Sequence, residues 1–248
     1  MLVRNILLLS SFVFTFCVVA PAQDLTLDQI LKNHEDTIGG AEAINKVQTL
    51  RITSRQLVGN GPQMEILIVT SIKRGGAVRA EMTMQGRTIV VAYDGTTGWT
   101  INPLTGSSEP KRLEEKTKVK AAGITIEAWV GALSILKASG NAAELLGKDV
   151  VKGSSAYKIK LTLKNSERST YFLDTGTFLP VKLITNISPL GDMVGEAYPS
   201  DYRKIDGLLV AHSLEAQILG DQMVRVKHEK IEINVPLEDS IFKMPTQK

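Results

Sequence analysis

The feature that most constrains this chain is a two-residue alternation of apolar and polar side chains that recurs in run after run. Successive side chains of a strand point to opposite faces, so each run has one face to bury. Leu50, Ile52 and Ser54 alternate with Arg51, Thr53 and Arg55, and Met64, Ile66, Ile68 and Ile72 alternate with Glu65, Val69, Ser71 and Lys73. Val78, Ala80, Met82 and Met84 continue the pattern, followed by Thr88 to Tyr93 and a short run carrying Trp99 and Ile101. Gly59-Asn-Gly-Pro62, Gly75-Gly76 and Asp94-Gly95 separate these runs, and turns this short join antiparallel neighbours.

The alternation resumes after Gly140. Tyr157, Ile159, Leu161 and Leu163 form one face, Ser169 to Leu173 and Leu179 to Ile184 form a hairpin, and an irregular loop follows from Asn186 to Gly195. Glu196 to Ile205, Leu208 to Ile218 and Met223 to Ile233 complete about eleven expected strands. Helical signals occur in two places. Thr26-Leu-Asp-Gln29 is a capping box, followed by Leu27, Ile30, Leu31, His34 and Ile38 on one helical face until Gly39-Gly40. The alternation breaks at Pro103 and Pro110, and Lys111 to Lys120 is charged and helix-like. Ile126 to Leu136 is then apolar around nearly its whole circumference, which requires burial on all sides.

One large antiparallel sheet needs its apolar face covered, and these helices are the available covers. The expected architecture is mainly β: a single curved antiparallel sheet forming an open half-barrel, with an N-terminal helix and a central helical lid.

The chain opens with Met1 to Arg4, an uncharged run from Ile6 to Ala20, and the small-residue site Ala20-Pro21-Ala22. This reads as a secretory signal peptide over residues 1–22, cleaved after Ala22, with residues 23–248 forming one exported domain. Loss of Arg4 takes the net charge from +3 to +2, which gives no electrostatic case for nucleic acid. The single cysteine, Cys17, lies inside the leader, so the mature domain has no thiol chemistry. Phe16 beside Cys17 is unlike the small residues that precede a lipidated cysteine, which argues against an anchor there. No later stretch has the roughly 18 apolar residues that a spanning helix needs.

Several short segments, in this order and spacing, resemble the bacterial outer-membrane lipoprotein carrier (LolA-like) superfamily and its lipoprotein-sorting relatives. They are Tyr93-Asp-Gly-Thr-Thr-Gly-Trp99 with Asn102-Pro103, Tyr171-Phe-Leu-Asp174 with Leu179-Pro180, Asp201-Tyr202-Arg203 with Asp206-Gly207, and the segment from Asn234 to Pro245. The resemblance covers residues 24 to 245. It implies an unclosed barrel with a greasy interior and a helical lid, located in the periplasm, that carries acylated proteins or senses lipid and envelope stress. The partners it implies are acyl chains of lipids or lipoproteins, together with inner- and outer-membrane transport or signalling proteins.

Residue chemistry agrees. The apolar faces are largely aliphatic, which suits acyl chains, whose burial is worth about 0.8 kcal/mol per CH₂, better than it suits stacked sugars or bases. The expected lining is Leu50, Ile52, Ile66, Ile68, Met82, Met84, Ile159, Leu161, Val210 and Leu214 from the sheet, with Trp129 and Leu133 from the lid. The two methionines add adaptability. No catalytic residue, metal or cofactor is assigned.

Two other readings compete: an envelope sensor or adaptor that uses the same fold to bind a protein, and an aspartic-type hydrolase acting through Asp174. Phe172-Leu-Asp-Thr-Gly-Thr177 matches an aspartic-protease signature, with Ile218-Leu-Gly-Asp221 as a supporting element. That chemistry needs two aspartates sharing a proton, no second Asp-Thr-Gly exists, and both segments fall where hairpins must turn. Ser134-Ile-Leu-Lys137 spells S-x-x-K without its companion motifs, and His34, His212 and His228 lack zinc-site spacing. Arg51, Arg55 and Arg203 are candidate contacts to anionic head groups, although strand parity turns Arg51 and Arg55 away from the Leu50/Ile52 face.

Overall fold

The computed structural model of the chain describes residues 24–186, 194–218 and 222–246. The expected signal peptide, Cys17, and parts of the Asn186–Gly195 loop and of the Ile218–Asp221 element lie outside those residues.

Among the described residues, thirteen strands form one antiparallel sheet. The first six are β1 (Thr49–Val58), β2 (Met64–Lys73), β3 (Ala77–Met84), β4 (Arg87–Tyr93), β5 (Gly98–Asn102) and β6 (Ser107–Arg112). They run outward by hairpins from the centre to one edge. The remaining strands are β7 (Ala142–Val151), β8 (Ser154–Thr162), β9 (Arg168–Asp174), β10 (Pro180–Asn186), β11 (Val194–Ile205), β12 (Leu208–Ile218) and β13 (Gln222–Ile233). These begin at the opposite edge and run inward until β13 pairs with β1. The sheet is a curved, open half-barrel whose two edges, β6 and β7, stay unpaired with each other.

The strand count differs from the expected eleven by the two edges. Both hide the alternation: β6 is polar and contains Pro110, which an edge strand tolerates, and β7 carries a bulge between Leu145 and Gly147. The same topology explains the lid. The segment from β6 to β7 has to travel from one edge of the sheet to the other, and it does so as three helices: α3 (Glu115–Ala122), α4 (Ile126–Trp129) and α5 (Leu133–Ala138).

At the N-terminus, α1 (Leu27–Thr37) has the predicted capping box: Thr26 Oγ1 accepts from the Gln29 amide, and the Gln29 side chain accepts from the Thr26 amide. Gly39-Gly40 ends it, and α2 (Gly40–Lys46) starts at once. Gly39 has φ +124°, and a Cβ there would lie 2.5 Å from the Gly207 carbonyl oxygen. A bare glycine therefore lets the helix pair press against the β11–β12 turn, where the Leu209 amide donates to Ile38 O at 3.0 Å.

Two cores lie between the helices and the concave face, beside a smaller cluster of Ala197, Ala216 and Val224 on the same face. In one, Ile38, Ile44, Ala121, Ile126 and Val130 pack on Leu50, Ile52, Ile72, Val78, Leu208 and Val210. In the other, Ile30 and Leu31 of α1 with Leu133 and Leu136 of α5 pack on Tyr157, Ile159, Leu161, Tyr171 and Leu173. The convex face has smaller clusters, in one of which Val90, Ala92 and Trp99 meet Met244 of the C-terminal segment. Trp99 Nε1 donates to Phe242 O at 2.7 Å, which straps that segment across the sheet.

Candidate functional site

The lid is built from two short pieces rather than the single helix expected over Ile126 to Leu136. Thr125 caps α4 by accepting from the Ala128 amide at 3.2 Å. The helix then stops at Val130, and Gly131, with φ +72°, turns the chain before α5 begins. An all-apolar pattern satisfies any helix rotation, so it carries no signal for this break. The break lets α4 enter one core and α5 the other.

Polar fastenings hold the lid at its margins. Arg74, in the β2–β3 turn, donates to Val47 O (2.7 Å) and Ile44 O (2.8 Å) and pairs with Glu127 of α4. Ser134 donates to Glu35, and Lys137 pairs with Asp28, tying α5 to α1.

His34 sits at the centre of these contacts, fully buried. Its Nδ1 lies 2.8 Å from Phe178 O and its Nε2 lies 2.8 Å from Gly131 O, so the ring bridges α1, the β9–β10 turn and the break in the lid. Burial, the largest influence, holds its pKa below the ordinary range against the opposing pull of the two carbonyls. A neutral imidazole has one N–H and donates to one carbonyl at a time, whereas an imidazolium would satisfy both.

Beside His34 is a cavity of about 150 Å³, walled by Ile38, Trp129, Val130, Gly131, Tyr171, Pro180, Leu183, Pro199, Tyr202, Leu209, Val210 and Leu214. Its polar groups are few and occupied or weakly acidic. Tyr202 donates its hydroxyl to Pro180 O at 2.7 Å, and burial raises the pKa of both tyrosines, that of Tyr171 to about 12. Nearby, His228 Nδ1 lies 2.8 Å from Ser54 Oγ, and its ring centre is 5.8 Å from that of Trp129. Burial, with the charge of His212 adding to it, lowers the His228 pKa to about 4, so it is neutral at ordinary pH.

The twelve residues expected to line a concavity separate into three groups. Trp129, Val210 and Leu214 line the cavity. Leu50, Ile52, Leu133, Ile159 and Leu161 are buried beneath the helices as core. Ile66, Ile68, Met82 and Met84 share the concave face by register beyond the helices; Ile66 is buried there and the other three are half-buried. Sequence reasoning placed His34 only on a helix face and missed Tyr171, Leu183, Pro199 and Tyr202. A histidine in the apolar stripe of α1 was the one available signal.

The competing motifs resolve into local structure. Asp174 Oδ1 accepts from the Gly176 amide (3.0 Å), the Thr177 amide (2.8 Å) and Thr177 Oγ1 (3.0 Å), which closes the β9–β10 turn. Those bonds, chiefly from the Thr177 amide, lower its pKa. Ser134 and Lys137 bind different carboxylates and not each other. No group of three His, Cys, Asp or Glu side chains able to hold a metal occurs among the described residues. Arg55 pairs with Glu229 and Glu65, and Arg203 with Asp201, all on the surface.

No family model matches the sequence, and no curated protein sequence matches it. Solved structures do match its fold. A LolA superfamily protein from Nitrosomonas europaea superimposes with a TM-score of 0.59 at 13% identity, over 88% of this chain and 98% of that one. A domain described as an outer membrane lipoprotein-sorting protein, from Vibrio parahaemolyticus, gives 0.56 at 13% identity over 87% and 95%. A DUF1329 family protein from Desulfovibrio piger gives 0.56 at 15% identity over 86% and 97%. The chain therefore has the LolA-like fold, an open antiparallel half-barrel with its helices laid in the concave face.

Proposed function

We propose that this protein binds the acyl chains of lipids or lipoproteins in the periplasm and hands them on, without catalysing a reaction. The observation that carries this reading is the small apolar cavity at the break of a two-piece lid, continuous in register with an apolar concave face. A space of about 150 Å³ accepts a group the size of benzene, whereas drug-sized ligands occupy roughly 300–1,000 Å³. On this reading the lid is closed, and a long acyl chain enters only if α4 and α5 move away from the sheet.

Movement of that kind exchanges one set of apolar contacts for another. The acyl chain replaces Ile126, Val130, Leu133 and Leu136 against the sheet, so binding and lid closure compete for the same surface. Competition of this type keeps affinity moderate and release possible, as transfer requires. The half-buried Ile68, Met82 and Met84 extend the surface beyond the lid. Extraction of the protein under native conditions, followed by mass spectrometry, is expected to release acyl lipid or lipopeptide in stoichiometric amount. A lipid-free preparation that takes up no acyl chain in vitro contradicts the reading.

A further inference from the structure

The convex face holds a second feature, independent of the lid. Arg51, Ser71 and Arg79 stand directly opposite one another on β1, β2 and β3, in a row on the face turned away from Leu50 and Ile72. A serine between two arginines leaves a notch in this row. The C-terminal segment roofs it with Ser240, Ile241 and Lys243, enclosing about 270 Å³, room for several waters.

The walls are held in place. Arg79 donates from Nε (2.8 Å) and Nη2 (2.5 Å) to Glu81 and from Nη1 to Ile241 O (3.0 Å), and its guanidinium lies 5.4 Å from the centre of the Trp99 ring. Glu81, the one carboxylate lining the notch, is thereby neutralised. The flanking carboxylates are also taken, Asp239 by Lys73 and Glu232 by Lys230. Among the described residues Arg51 and Lys243 form no ion pair, and Lys243 acts on Asp239 only at longer range than Lys73 does. Ser71 is only 5% exposed, lines the notch, and has no hydrogen bond from its hydroxyl among the described residues. Two cations without an ion pair and a hydroxyl without a hydrogen bond to protein, set around one small space, are the donor set for a compact oxyanion.

We propose that this notch binds a phosphate group, with Arg51 and Lys243 supplying charge and Ser71 a hydrogen bond. Free inorganic phosphate and the head-group phosphate of an anionic lipid present the same chemistry. In the second case the site would orient the convex face toward a membrane surface.

The test titrates the protein with inorganic phosphate at constant ionic strength and follows the amide resonances of Ser71, Ser240 and Lys243. Saturable shifts are expected, with affinity falling about tenfold in Arg51→Gln and in Lys243→Gln, since each removes one charge-assisted contact. Both side chains are exposed, so neither variant threatens folding. Ser71→Leu fills the notch without changing charge and is expected to abolish binding, which non-specific attraction would not do. Sedimentation with phosphatidylglycerol vesicles separates the sources: co-sedimentation lost in Arg51→Gln assigns the lipid head group, and phosphate binding without co-sedimentation assigns the free ion. No saturable shift, or a shift unchanged in both charge variants, overturns the proposal.

Discussion

The concave face has two ends built from the same alternating sequence and treated oppositely by the helices. At the covered end, Leu50, Ile72, Ile159 and Leu173 are 0% exposed. At the other, Ile68, Met82, Met84 and Val226 are half-buried and lie outside the two helix-packed cores. Apolar strands are thus not in themselves a ligand surface: what separates core from candidate lining here is how far the N-terminal helices and the β6–β7 crossover reach. The helices occupy one end as a resident ligand would, and the uncovered end is the free remainder.

The sharpest way to break this comparison is truncation at each end. Ile159→Ala is expected to cost about 2–5 kcal/mol in urea unfolding, because a filled site becomes a cavity. Met82→Ala should cost no more than about 1 kcal/mol, since partly exposed apolar surface is lost without a cavity, while weakening acyl binding. Equal losses of stability at the two ends would erase the distinction.

Acid probes the boundary between them, where His228 stands. Its folded pKa of about 4 lies below the unfolded value of 6.5, so the unfolded chain takes up the proton first as pH falls. Its contribution is therefore complete above pH 6.5 and lost progressively toward pH 4, amounting to about 3 kcal/mol at most. Burial lowers the His34 pKa in the same direction. Urea unfolding across this range should show stability falling with acid, more steeply in the native chain than in His228→Gln.

His34 tests how the covered end is closed. His34→Leu removes the one N–H that the neutral ring donates to Phe178 O or Gly131 O, at a cost of about 1–3 kcal/mol. Hydrogen exchange should quicken first around Gly131 and in α4 and α5. Uniform acceleration over the whole sheet would show that His34 supports the fold at large rather than the lid. The smallest effect is expected at Asp174→Asn, where the amide oxygen still accepts from Gly176 and Thr177, so stability should change by about 1 kcal/mol or less. Protein digestion assays with the native chain should show no cleavage that this substitution removes.

The parts of this molecule that could be read beforehand follow from where local chemistry and tertiary structure agree. Strands β1 to β5 and β8 to β13 carry both the alternation and the turns, and the α1 capping box specifies its own start. The edge strands were invisible because edges take polar residues, a proline and a bulge, which suppress the period that reveals a strand. The lid was legible as apolar but not as broken, since Gly131 acts through a positive φ that only its neighbours require. At the site, Trp129, Val210 and Leu214 were found because they are apolar on the predicted face. Tyr171 was invisible as lining because nothing local tells which aromatic faces a void. The arginine reading was half right in parity: Arg51 does point away from the Leu50 face, yet Ser71 beside it makes a notch that only the cross-strand register shows.

The central claim is that the lid yields its place to an acyl chain. The chain contains two tryptophans, and Trp99 is fully buried on the opposite face with its indole N–H bonded to Phe242 O, so a change in emission reports Trp129. Titration of the mature protein with a fluorescent fatty acid should give saturable binding with a parallel change in tryptophan emission that disappears in Trp129→Phe. Absence of saturable binding, or binding that leaves Trp129 emission unchanged, would contradict it.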